Sequence, residues 1–219
     1  MTKWLACAGA AVALAACTSL AHRAAPNQAA APNSVAGLAA AIESDSQRSD
    51  RESEQRVRED LATDAGNDAN ACLALDPRAV ACLYGHAVAL GLEARVHPIR
   101  ANQLLTNMLE SLGSAETADP NYDHAGPARV RALVLIRAPG WPLGPGDADA
   151  GLVAARRAVT LQPGYPPNLL TLAEALMKTG DANGARENYE HARDLAQTSP
   201  STPDRDSWLR EANQALQRK

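Results

Sequence analysis

The stretch that decides the fold runs from Leu169 to Ala192 and reads LLTLAEALMKTGDANGARENYEHA. Leu169, Leu172, Ala173 and Leu176 recur at three- and four-residue steps, so they share one face of a helix. Ala185, Tyr189 and Ala192 repeat the pattern after Thr179-Gly180-Asp181, which marks a turn. The expected unit is therefore a pair of antiparallel helices. Ala173 and Ala185 leave room for close approach of the two axes, and Leu176 and Tyr189 fill the remaining gap.

Upstream, three helix stops recur: Ala74-Leu75-Asp76-Pro77, Thr117-Ala118-Asp119-Pro120 and Thr160-Leu161-Gln162-Pro163, with prolines 43 residues apart in both intervals. A fixed period of this size signals stacked helix pairs, none able to bury its apolar face alone. Proline ends one helix of each unit because it cannot continue the hydrogen-bond ladder. The large and small positions of the last unit match the tetratricopeptide (TPR) consensus. The expected fold class is all-α, a TPR-like stack of antiparallel helix pairs with a C-terminal capping helix.

Working outward, helices are expected over Val80–Glu93 and Ile99–Gly113, the second with Leu104, Leu105, Met108, Leu109 and Leu112 on one stripe. Val130–Ile136 (VRALVLI) has the composition of a buried strand, but a lone strand has no partner, so the repeat frame favours helix. Its companion is Ala150–Leu161. Thr202-Pro203-Asp204 starts a last helix carrying Trp208, Leu209, Ala212 and Leu216. On the amino-terminal side, the charged stretch Ser44–Asp60 and the seam Val57, Leu61, Ala65, Ala69, Cys72 predict a helix ending at Leu75.

Composition agrees with that frame. The 219 residues are 46% hydrophobic but only 3% aromatic, with no phenylalanine, and roughly a fifth are alanine. A sandwich or barrel would need more β-branched and aromatic residues. The net charge of −4 and the absence of a clear Lys/Arg cluster disfavour a nucleic-acid partner. No GxSxG, P-loop, GxGxxG, HExxH or paired CxxC motif is present, and the five histidines lack ligand spacing. The expectation is a non-enzyme without cofactor or metal.

The first residues read as an address. Lys3 precedes the apolar run Trp4–Ala16, too short to span a bilayer, and Leu14-Ala15-Ala16-Cys17 resembles the lipobox of bacterial lipoproteins. This predicts a signal peptide over 1–16 and lipidation of Cys17, giving a membrane anchor. Thr18 in place of aspartate points to the periplasmic face of the outer membrane. Ala21–Asn33 is an Ala/Pro/Asn tether without apolar periodicity. The expected division is a lipidated tether over 17–43 and one helical domain over 44–219.

With Cys7 removed and Cys17 acylated, Cys72 and Cys82 remain, five residues either side of Pro77. On facing helices of a hairpin turning there, in an oxidising compartment, they are expected to pair.

The middle unit carries an insertion. PNYDHAGPAR (120–129) precedes one helix and APGWPLGPGD (138–147) follows it. GPxR followed by APGWPxGPGD, an AxxLxP helix end and a final TPR resembles the TatT-type lipoproteins, the periplasmic T component of TRAP transporters. The resemblance implies an all-helical, TPR-related lipoprotein with an apolar cleft or pore that works with a periplasmic substrate-binding protein, and an oligomer. Read from the residues, the prolines fix a rigid loop that presents Trp141. Trp141, Tyr122 and Arg129 are candidates for an apolar pocket with one cationic handle, for a small apolar or organic-acid ligand. The alternative is that Trp141 fills a gap between helix pairs and Arg129 pairs with Asp147. His86 and Arg95 are further candidates, facing the concave groove. The functional expectation is a transport accessory; the alternatives are a lipid or sterol carrier and a scaffold for envelope assembly without a small ligand.

Overall fold

A computed structural model describes residues 33–218, and the segments expected to be a signal peptide, a lipidated Cys17 and the first part of a tether, up to residue 32, lie outside them. The described residues form nine α-helices and no strand: α1 (Val35–Arg51), α2 (Gln55–Leu75), α3 (Val80–Val96), α4 (Ala101–Ala118), α5 (Tyr122–Arg137), α6 (Ala148–Leu161), α7 (Pro166–Lys178), α8 (Ala182–Thr198) and α9 (Pro203–Gln217). The three repeated stops fall where α2, α4 and α6 end. Asp76, Asp119 and Gln162 are their C-caps, each donating its backbone N–H to the carbonyl four residues earlier. VRALVLI lies inside α5, as helix.

Consecutive helices pack as antiparallel neighbours, and the odd-numbered ones also touch each other in series: α1 on α3, α3 on α5, α5 on α7, α7 on α9. The even-numbered helices touch only their sequence neighbours. Odd helices therefore form the inner, concave layer and even helices the outer one, as expected for a helical-repeat superhelix. Alanine makes this layering tight. Ala87, Ala115, Ala132, Ala155, Ala173 and Ala185 are all fully buried, and each lets a neighbouring helix approach without displacing a larger side chain. At Gly85 a Cβ would stand 2.9 Å from Ile42 Cδ1, so α3 meets α1 at a point where any side chain intrudes.

The amino-terminal division differs from expectation. Residues 35–43 are helix, not tether, because Leu38 and Ile42 are buried, Leu38 beside Cys72 and Cys82 and Ile42 against α2 and α3. The charged stretch breaks at Glu52–Glu54, where the Glu52 carboxylate accepts from the backbone N–H groups of Ser53 and Glu54 and so competes with the helical ladder. Cys72 and Cys82 are joined, with S–S 2.10 Å, and both are fully buried at the α2–α3 hairpin. Thr202 caps α9, its hydroxyl accepting from Arg205 N at 3.1 Å.

Candidate functional site

The odd-numbered helices, together with α4, line an open groove of about 760 Å³. α1 and α9 make no direct contact, yet both line it, so the groove spans the superhelix. Its apolar surface comes from Val88, Leu92, Leu105, Met108, Val130 and Leu133. Charge is carried by Glu43 and Asp50 on α1, Arg95 on α3, Asp123, Arg129 and Arg137 on α5, and Asp204 on α9.

At its centre is a backbone feature that the periodicity hides. Asp123, His124 and Ala125 have φ of 47, 54 and 63°, three successive non-glycine residues in the left-handed region. Each costs on the order of 1–2 kcal/mol relative to a right-handed residue. The right-handed run of α5 starts after them, with Pro127 in its first turn, where a missing N–H leaves no bond unmade. Such a turn persists only when its surroundings hold it.

Here Arg129 holds it. Its Nη1 donates to Asp123 O at 3.1 Å, His124 O at 3.2 Å and Asn168 Oδ1 at 3.2 Å. Its Nη2 donates to Asp123 Oδ2 at 2.7 Å. From α7, the fully buried Asn168 donates Nδ2 to His124 O, Ala158 O and Gln162 O, tying the turn to the end of α6. From α3, Tyr84 Oη donates to Asp123 Oδ2 at 2.9 Å. Burial, followed by the adjacent Asp123 carboxylate, pushes the Tyr84 phenol well above the usual range, so it stays a donor. Gly126 is required beside this knot, since a Cβ there would stand 2.7 Å from Asp123 Oδ2 and 2.9 Å from Tyr84 Oη.

Aromatic rings collect around the same turn. Tyr84 and Tyr122 meet edge to face at 5.4 Å, His124 stacks on Tyr165 at 4.3 Å, and Tyr165 meets Trp208 edge to face at 5.5 Å. The Arg129 guanidinium lies 5.1 Å over the Tyr165 ring. Tyr122 opens onto a smaller recess of about 480 Å³ between α1, α3 and α5, shared with Tyr84 and Asp123.

Of the residues singled out from sequence, Arg129 and Arg95 line the groove and Tyr122 borders it through this recess. Arg95 pairs with Asp50 at 2.6 Å across α3 and α1. His86 stands away from the groove, its Nδ1 2.9 Å from Ser111 Oγ on α4, and burial lowers its pKa. Trp141 stands apart as well. It is 91% exposed at the tip of the α5–α6 loop, so it neither lines the groove nor fills a gap between helix pairs. Arg129 does not pair with Asp147, whose carboxylate instead caps α6, accepting from Ala150 N. The residues missed were Asp123, Tyr84, Asn168, Tyr165 and Trp208. A signal existed for one of them: Tyr122 and Tyr165 each stand two residues after a repeat proline, at equivalent positions of the 43-residue period.

Among the described residues no cluster of three His, Cys, Asp or Glu side chains is placed to hold a metal, and no helix is long and apolar enough to cross a membrane.

These elements define a TPR-like helical-repeat fold. Among solved structures the chain is similar to a thermophilic TPR protein of Thermus thermophilus, with a TM-score of 0.64 and 19% identity, covering 84% of this chain and 82% of that one. No family model and no curated protein matches the chain.

Proposed function

We propose that this chain is a membrane-tethered adaptor of the bacterial envelope whose concave groove holds a segment of another protein. The groove carries this reading: it is lined from α1 to α9, it is open to solvent, and its lining combines apolar with charged residues. Such a trough suits an extended or helical segment laid along it, whereas a lipid or sterol is better served by enclosure. An organic acid would need an available cation, and the groove's arginines are engaged, Arg95 with Asp50, Arg129 with Asp123 and Arg137 with Glu174.

The tethering half of the reading rests on Leu14-Ala15-Ala16-Cys17, which supports cleavage before Cys17 and its acylation, and on Thr18 in place of aspartate, which supports attachment at the periplasmic face of the outer membrane. The resemblance to TatT-type lipoproteins, over about residues 70–195 with its motifs between Asp119 and Ala192, makes a periplasmic substrate-binding protein of the TRAP type the first partner to test, and a transport accessory the finer form of the proposal.

The test places a photo-crosslinking residue at Val88 or Leu105 in the groove, and at Ile99, fully exposed and outside it, as control. The expected result is one defined envelope protein cross-linked from the groove positions only. Adducts with lipid alone would replace the adaptor by a carrier. Cys17→Ser is expected to move the chain from the membrane to the soluble fraction, and metabolic labelling with a fatty-acid probe should lose its signal in parallel.

A further inference from the structure

The chain has four tyrosines and three tryptophans, and Tyr84, Tyr122, Tyr165 and Trp208 gather around the single turn at Asp123. A protein so poor in aromatic residues has concentrated them where a carboxylate is also held. Asp123 Oδ2 accepts from both Tyr84 and Arg129, which fixes the plane of the carboxylate, while Oδ1 accepts from no group among the described residues. Its side chain remains 40% exposed toward the groove.

The charge balance of the groove is one-sided. Each lining arginine has an internal carboxylate partner: Arg95–Asp50 at 2.6 Å, Arg129–Asp123 at 2.7 Å and Arg137–Glu174 at 2.6 Å. Two lining carboxylates have no cationic partner among the described residues, Glu43 on α1 and Asp204 on α9. Unpaired charge in this groove is therefore negative, and the ring faces beside it attract cations through their quadrupoles. The protein already uses one such face in this way, with Arg129 over Tyr165.

Resting on the reading of the groove as a docking site, we infer that the docked segment presents a lysine or arginine side chain to Asp123 and Trp208, with Glu43 and Asp204 supplying the counter-charge. Apolar residues of the same segment lie on Val88, Leu105 and Val130. An acidic segment meets net repulsion at this site, and a purely apolar one leaves Asp123 Oδ1 facing it unpaired.

The experiment pans a random twelve-residue peptide library on the purified full chain. Selected peptides are then measured against Glu43→Gln/Asp204→Asn, which alters two exposed carboxylates with no ion pair, and against Val88→Thr/Leu105→Ser in the groove wall. Circular dichroism and a urea midpoint check that both variants stay folded. The expected peptides carry Lys or Arg among apolar residues, bind about tenfold more weakly to the carboxylate variant, and weaken as salt rises. Peptides that depend on Val88 and Leu105 but show no basic enrichment, and bind the carboxylate variant unchanged, overturn the cation site and leave the groove reading standing. Recovery of no peptide that depends on Val88 and Leu105 overturns both.

Discussion

Replacing Arg129 by methionine tests whether one guanidinium sustains the left-handed turn. The side chain is about nine-tenths buried and makes four hydrogen bonds, two of them to carbonyls of Asp123 and His124. Breaking a buried ion pair typically costs about 3–5 kcal/mol. Because Asp123 is 40% exposed, water recovers part of its solvation, which pulls the expected value to the lower end. His124 O keeps its bond from Asn168 Nδ2, but Asn168 Oδ1 loses its donor. The left-handed residues, together worth about 3–6 kcal/mol of strain, also lose their main brace. Arg129→Met should therefore lose about 3 kcal/mol, read as a lowered midpoint in equilibrium urea unfolding by far-ultraviolet circular dichroism with the slope unchanged. Arg129→Lys should recover less than half of that, since an ammonium cannot fork between two carbonyls and a carboxylate. A loss below about 1 kcal/mol for methionine would show that packing, not this guanidinium, holds the turn.

Gly126→Ala should destabilise by more than about 1 kcal/mol although alanine is ordinarily the better helix former, because its Cβ would press on Asp123 Oδ2 and Tyr84 Oη; thermal melting checks the sign. The Cys72→Ala/Cys82→Ala variant should lose about 2–3 kcal/mol from opening a loop with a sequence separation of 10, and reductant should lower the wild-type urea midpoint while leaving the variant's unchanged. At His86, burial lowers the pKa below its ordinary 6.5, so the unfolded chain binds this proton more readily and stability falls as pH drops through that value. His86→Gln should flatten the fall in urea midpoint between about pH 7 and 5, and an unchanged slope would refute this.

The helices were legible because their signals are local. Pro77, Pro120 and Pro163 mark chain reversals wherever they stand, and the Leu169–Leu176 and Ala185–Ala192 faces need only a 3.6-residue period to be seen. The start of α1 was not legible, because alanine and serine around Ala36–Ala40 read equally well as tether, and only contact with Cys72 and α3 makes Leu38 and Ile42 core. The turn at Asp123–Ala125 was illegible for a related reason. No sequence rule places three non-glycine residues at positive φ, and the partners that force it there, Tyr84 and Asn168, lie 39 and 44 residues away from the atoms they bind. The Trp141 loop misled because proline and glycine announce rigidity without saying which way the rigid loop faces.

That loop yields a last prediction. Its rigidity is real: Gly146 N donates to Pro139 O at 2.9 Å, and a Cβ at Gly144 would stand 2.6 Å from the same oxygen. The tight base holds Trp141 and Leu143 outward, 91% and 74% exposed. Since the indole contributes almost no burial, Trp141→Ala should change stability by less than about 0.5 kcal/mol. Trp208 differs, because it is half-buried, packs on the α7–α9 core cluster and meets Tyr165 beside the groove. Its replacement by alanine should cost more than about 1 kcal/mol, as a partly buried aromatic truncation. The two also separate in fluorescence, measured on a chain that begins at Cys17 and so lacks Trp4. Iodide should quench Trp141 freely and Trp208 weakly, so Trp141→Ala leaves an emission that reports on the groove end of the molecule. A large loss of stability on removing Trp141, or a residual emission as quenchable as free indole, would mean that the loop folds back onto the helices and that the groove boundary must be redrawn.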